Sequence, residues 1–234
     1  MAEEPLIKVR GVTRIYQQGE VDVHALRGVD LDIFDDEFTA LAGPSGSGKT
    51  TLLNQIGALD SPTDGTVTID GEDISHLDRN EGAQYRLGHI GFIFQAYNLV
   101  PVLTAYENAE FILLLQGASK QERREKVEPL LERVGLGGYE DRKPHELSGG
   151  QQQRVAVVRA LASKPEIVLA DEPTANLDSE TSAGLLDLMA ELNEEHGVTF
   201  LFSSHDDIVL ERARRVVNLD SGKVVSEERK ESRP

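Results

Sequence analysis

A chain of 234 residues with 39% hydrophobic side chains can bury a sizeable core, which excludes an intrinsically disordered protein. No apolar run approaches the roughly 18 residues that span a bilayer, the N-terminal MAEEPLIKVRG has no secretory h-region, and the absence of cysteine excludes disulfides and thiolate metal sites and fits a cytosolic compartment. Forty-one acidic against 24 basic residues give a formal charge of −17, which argues against a large nucleic-acid surface and fits a halophilic host, since a highly acidic surface favours solubility in strong salt.

In chain order, LIKVRGVTRIY and ALRGVDLDI alternate apolar and polar residues and predict strands of a half-exposed antiparallel sheet. FTALAG is a short apolar strand running into a glycine loop, after which Lys49 to Leu59 reads as helix. GTVTIDG and HIGFIF are further strands. From Tyr106 to Val134 the pattern is helical, with Glu122 and Lys126 spaced for an exposed i,i+4 pair. Gln151 to Ser163 is another helix, EIVLADEP a buried strand ending in acids, and GVTFLFSSHD a second such strand. The helix between those two strands, about Ser179 to Glu195, completes a strand–helix–strand unit of a parallel sheet. No internal repeat or linker divides the chain, and SEERKESRP reads as a polar, frayed tail.

GPSGSGKTT carries the clearest chemistry. Gly43, Gly48, Lys49 and Thr50 satisfy the spacing of a phosphate-binding loop between an apolar strand and a helix. The glycines let backbone N–H groups turn inward around phosphates, Lys49 offers a point charge to the β and γ phosphates, and the Thr50 hydroxyl can ligate Mg²⁺. Asp171 and Glu172 end the strand IVLA, where carboxylates of a parallel sheet point into a ligand crevice. Asp171 suits Mg²⁺, and Glu172 suits the orientation or deprotonation of an attacking water. LSGGQQQR is a second glycine-rich helix start, able to receive an anion but without a lysine. His24, His76, His89, His145 and His196 show no zinc-type spacing and read as surface or packing residues.

With LSGGQQQR, VLADEPTANLD and the phosphate loop in this order, nearly the whole chain resembles the ATP-binding subunit of ABC transporters. The resemblance implies an α/β P-loop NTPase with a RecA-like core and an antiparallel β subdomain (1–95 and 165–225), an inserted helical subdomain (96–164) and a polar tail (226–234). It further implies that Tyr16 stacks on adenine and that Gln95 touches Mg²⁺ and the attacking water. Ser148 and Gly150 would contact the γ-phosphate, Asp178 would face the opposite subunit, and His205 would hold the γ-phosphate and the water. The implied ATP-binding set is Tyr16, Gly43, Ser45, Gly46, Ser47, Gly48, Lys49, Thr50, Thr51, Ser148, Gly149, Gly150, Gln151 and Asp178. The implied catalytic set is Glu172, His205, Gln95 and Lys49, with Thr50, Gln95 and Asp171 on the metal.

VHALRGVDLDI, IGALDSPTDG and GFIFQAYNLVPVLTAYENAEF narrow the resemblance to the lipoprotein-releasing and macrolide-exporting subfamily, which also includes a cell-division ATPase. The sequence departs from that pattern in TANLD, where a glycine commonly precedes the asparagine, and in SSHD, where Thr-His is usual. The implied activity is ATP hydrolysis in a head-to-tail homodimer at the cytoplasmic face of a membrane, driving a permease on another chain. AYNLVPVLTAYEN would rim the groove that receives the permease. A soluble ABC-type ATPase of DNA repair or translation is the rival, and the acidic charge and lack of a coiled-coil insertion disfavour it. An ATP-holding module without turnover is disfavoured by Glu172 and His205.

Overall fold

The N-terminal alternation does form an antiparallel sheet: β1 (Ile7–Gln18) pairs with β2 (Val21–Ile33) on one side and with β4 (Asp64–Ile69) on the other. A two-residue β5 (Glu72–Asp73) completes the order β2-β1-β4-β5. These features come from a computed structural model, which describes residues 4–19 and 21–230.

A second sheet of six strands runs β10-β9-β3-β8-β7-β6. It comprises β3 (Phe38–Ala42), β6 (Ile90–Phe94), β7 (Ile167–Asp171), β8 (Thr199–Ser203), β9 (Arg215–Asp220) and β10 (Lys223–Arg229). The five strands β9, β3, β8, β7 and β6 run parallel to one another, and β10 is antiparallel to β9. Every residue of β3 and β8 is buried, as expected for parallel strands covered on both faces. Period-2 alternation then divides the interior. Phe38, Ala40, Phe200 and Phe202 face one core with α3 (Ala105–Leu115), α4 (Lys120–Arg133), α5 (Gly149–Leu161) and α6 (Ser179–His196). Leu41, Leu169 and Leu201 face the other, with α1 (Lys49–Ile56) and the antiparallel sheet. The three phenylalanine rings meet at 4.5 to 5.8 Å between centroids, tilted or stacked.

Several sequence expectations are corrected. The helical stretch 106–134 is two helices, α3 and α4, broken at Gly117, where φ is +80°. Glu122 does not form the expected i,i+4 pair. Its carboxylate accepts from the backbone N–H of Ser119 at 2.7 Å and closes the capping box of α4. That bond, more than the nearby Lys126 charge, holds its carboxyl below the usual range. Helix α1 ends at Ile56 rather than Leu59, and α2 (Arg79–His89), capped by Asp78, fills a stretch with no expected element. The polar tail is ordered strand to Arg229, while residues 231–234 lie outside the described residues. Charge pairing replaces apolar burial there: buried Arg215 pairs with Glu37 at 2.9 Å and Glu227 at 2.6 Å, and Arg229 also reaches Glu37.

Candidate active site

The loop from Gly43 to Gly48 joins β3 to α1 and turns in two places where only glycine fits. A Cβ at Gly43 would lie 2.1 Å from the Leu219 carbonyl oxygen, and one at Gly48, with φ +106°, would lie 2.8 Å from that of Ala25. The enclosed Lys49 is 7% exposed, and its ammonium donates to the carbonyls of Gly43 (2.7 Å) and Pro44 (3.1 Å). Both partners are neutral, so an uncompensated positive charge stands at the N-terminus of α1, where the helix dipole adds to it. Ser47 is buried within the loop, and its carbonyl accepts from the Gly222 N–H.

A cavity of about 420 Å³ opens over this loop. Ser45, Gly46, Gly48 and Lys49 form its base with Thr50 and Thr51, and Glu172 forms its far wall. The β1–β2 hairpin adds Tyr16, Val23, His24 and Ala25. Tyr16 is anchored, since its hydroxyl donates to Asp60 Oδ2 at 2.7 Å and the Arg14 guanidinium lies 4.6 Å from its ring centroid. Arg14 also binds Asp60, at 2.6 Å. Burial, and then the Asp60 carboxylate, hold the phenol above the ordinary tyrosine pKa.

The acids at the end of β7 have separate surroundings. Asp171 Oδ1 accepts from the Thr50 hydroxyl at 3.1 Å, so the two expected metal-binding oxygens are neighbours. Glu172 has φ +46°, and its N–H donates to the Ser203 carbonyl. Its Oε1 meets His205 Nδ1 at 2.8 Å, and its Oε2 accepts from the Ser204 hydroxyl at 3.1 Å.

The remaining expected residues stand apart from the cavity lining. Ser148 is exposed and caps α5 in a reciprocal box with Gln151. Gly149 and Gly150 pack within the chain: a Cβ on Gly149 would lie 2.8 Å from the Tyr97 hydroxyl oxygen, and one on Gly150 would lie 2.5 Å from Thr181 Cγ2. Asp178 caps α6 by accepting from the Thr181 N–H and hydroxyl, which hold its carboxyl below the usual range. Gln95 is exposed just after β6, and its carbonyl accepts from the Asn176 side chain at 2.8 Å.

A family model described as ABC transporter matches residues 26–175. The chain belongs to the ABC transporter family. This ATP-binding domain, an ABC ATPase, is similar to an ABC transporter ATP-binding protein of Thermotoga maritima, with 46% identity over 94% of this chain and 93% of that one. It is 48% identical over 95% of its length to the macrolide export ATP-binding/permease protein MacB of Hyphomonas neptunium. The chain covers only 34% of that protein, and about a third of the other MacB relatives it matches. A dimeric, ADP- and Pi-bound post-hydrolysis structure of a Methanocaldococcus jannaschii ATP-binding cassette superimposes with a TM-score of 0.88 at 44% identity, covering 95% of this chain and 98% of that one.

Sequence motifs alone missed several residues of this site. Val23 and His24 reach the cavity because β2 begins at Val21, ahead of the expected strand ALRGVDLDI, and its register sets Val23 opposite Tyr16. His24, read as a surface or packing residue, is exposed at the cavity wall. Asp60 and Ser204 lie in the stretches IGALDSPTDG and SSHD, which gave them no role, and they act on Tyr16 and Glu172.

Proposed function

We propose that this chain is the ATP-binding subunit of an ABC transporter that hydrolyses ATP as a head-to-tail homodimer. It drives a permease on a separate chain, of the lipoprotein-release or macrolide-export type. The observation that carries this reading is the separation of two half-sites: Lys49 lines the cavity, whereas exposed Ser148 lies outside it. A second copy turned end for end supplies Ser148, Gly149, Gly150, Gln151 and Asp178 to the triphosphate held by the first. The M. jannaschii cassette, a dimer with ADP and Pi, supports dimerisation around nucleotide.

In the reading, Tyr16 stacks on adenine, while Gly43, Ser45, Gly46, Ser47, Gly48, Lys49, Thr50 and Thr51 hold the phosphates. The adjacent oxygens of Thr50 and Asp171 fit Mg²⁺, a hard cation that takes few protein ligands and keeps phosphate and water oxygens. Gln95 is the third residue assigned to it. Bound Mg²⁺ would neutralise phosphate charge. Glu172 orients the attacking water and accepts its proton, assisted by His205 and Gln95. One P–O bond forms to the water oxygen as the bond from the γ-phosphorus to the bridging oxygen breaks, and ADP leaves with the electron pair.

Residues 96–164, inserted between β6 and β7 and holding α3 to α5, are the helical subdomain; residues 1–95 and 165–225 are the core. Between them, a groove of about 260 Å³ is walled by Phe92, Phe94, Val100, Phe111 and Arg159 and suits an inserted element of the permease. Among the described residues no helix is long and apolar enough to cross a membrane. In the reading, the subunit works peripherally at the cytoplasmic face, where it meets its permease. The T. maritima relative, named as an ABC transporter ATP-binding protein, supports the role of the energising subunit, and the MacB relatives support an exporter.

The purified protein is expected to release phosphate from ATP. Glu172→Gln is expected to stop release while still giving a dimer, by sedimentation, only when ATP is present. A monomer at saturating ATP, or undiminished release by Glu172→Gln, would contradict the reading.

A further inference from the structure

Glu172 is held more tightly than its place at a strand end requires. Its φ of +46° lies in the left-handed region, which costs an L residue free energy unless neighbours hold it there. Ser203 and Ser204 do so from β8 and the turn after it. The Ser203 carbonyl takes the Glu172 N–H at 2.8 Å, and the Ser204 hydroxyl donates to Glu172 Oε2 at 3.1 Å.

The two side chains on the carboxylate differ in one decisive respect. His205, on Oε1, has a side chain that is 65% exposed, and it can turn toward a ligand without leaving a buried group unpaired. Ser204 is fully buried and fixed on every side. Its N–H donates to the Leu41 carbonyl near the end of β3, the strand that enters the phosphate loop. Its oxygen accepts from the Asp206 N–H at 3.1 Å, which leaves the single hydroxyl proton for Glu172. Asp206 is itself fixed by the Ile208 N–H and by the hydroxyl of buried Thr174.

We propose that Ser204 is a positioning residue for hydrolysis, the fixed anchor that keeps one oxygen of Glu172 in register with the phosphate loop when His205 lets go of the other. The proposal rests on the reading of Glu172 as the residue that handles the attacking water. A carboxylate pinned at Oε2 presents Oε1 in a set direction, and a misplacement of about 1 Å at such a group can cost about 100-fold in rate.

Ser204→Ala removes one oxygen and leaves the backbone bond to Leu41 intact. It is expected to lower kcat for ATP about 10- to 100-fold with KM and ADP affinity unchanged, and to lower the melting temperature slightly, because the Asp206 N–H loses its acceptor. Ser204→Thr, which keeps the hydroxyl, is expected to restore kcat. Glu172→Gln is measured beside them. If Glu172→Gln is inactive but Ser204→Ala turns over normally, the anchor role is overturned and the role of Glu172 stands. The anchor role is equally overturned if Ser204→Ala loses ADP binding and stability along with kcat and Ser204→Thr does not recover them. If Glu172→Gln itself turns over normally, the underlying reading fails and the proposal falls with it.

Discussion

The phosphate loop and the LSGGQ helix start look alike as sequences, yet they solve opposite problems in the folded chain. At the first, the glycines create a cradle, and the buried Lys49 has only neutral carbonyl partners. At the second, Ser148 and Gln151 satisfy each other, and the glycines make room for Tyr97 and Thr181 of the same chain. One region carries charge that a ligand must answer. The other has the Ser148 and Gln151 N–H groups answered by its own capping box and leaves an exposed serine for something outside the chain. A glycine-rich helix start is therefore not by itself a phosphate site; the unanswered cation separates the two cases.

Removing that cation is the strongest way to break the contrast. Lys49→Ala is expected to lower phosphate release about 100- to 1,000-fold or more and to weaken nucleotide binding, read by titration with a fluorescent nucleotide. Near-normal turnover would erase the distinction.

Gly150 gives the next largest effect and tests the packing side. Gly150→Ala is expected to destabilise the fold by about 1–3 kcal/mol, because the new Cβ meets Thr181 Cγ2. Thr181→Ser deletes that methyl while keeping the hydroxyl that binds Asp178, so the double variant should regain most of the loss in a denaturant titration. Additive losses would mean that the glycine is needed for another reason.

Tyr16→Ala is expected to raise the ATP concentration needed for half-maximal turnover, by about 1–3 kcal/mol of lost stacking, with little change in kcat. Unchanged nucleotide affinity would remove Tyr16 from the site. The smallest effect concerns the acidic surface that both regions share. If it is a high-salt adaptation, the melting temperature should rise from low to molar KCl as the Debye length shrinks to about 3 Å. A flat or falling trend would leave the acidity unexplained and the site untouched.

What could be read from the sequence was set by local chemistry. The phosphate loop, the acids of β7 and the buried strands β3, β7 and β8 follow from glycine spacing and apolar runs, and the structure has them where the residues imply. Helix α2 escaped notice because only Gly82 and Tyr85 of its residues are buried, so no apolar stripe marks it. The break at Gly117 was hidden by helix-forming residues on both sides, and β10 by a composition of charges that pair with Arg215 and Glu37. The roles of Asp60 and Ser204 were invisible for a different reason. Their partners lie 44 and 32 residues away, and only the fold brings them together.

The central claim, that the chain carries two half-sites which only a second copy completes, is tested most directly by mixing two broken proteins. Lys49→Ala spoils the cradle, and Ser148→Arg blocks the exposed serine with bulk. A mixed dimer holds one site with both defects and one with neither. Each variant alone is expected to stay monomeric and inactive with ATP, whereas the mixture should regain ATP-dependent dimers, with phosphate release if one intact site turns over by itself. A mixture of folded variants that stays monomeric and inactive would contradict the shared site.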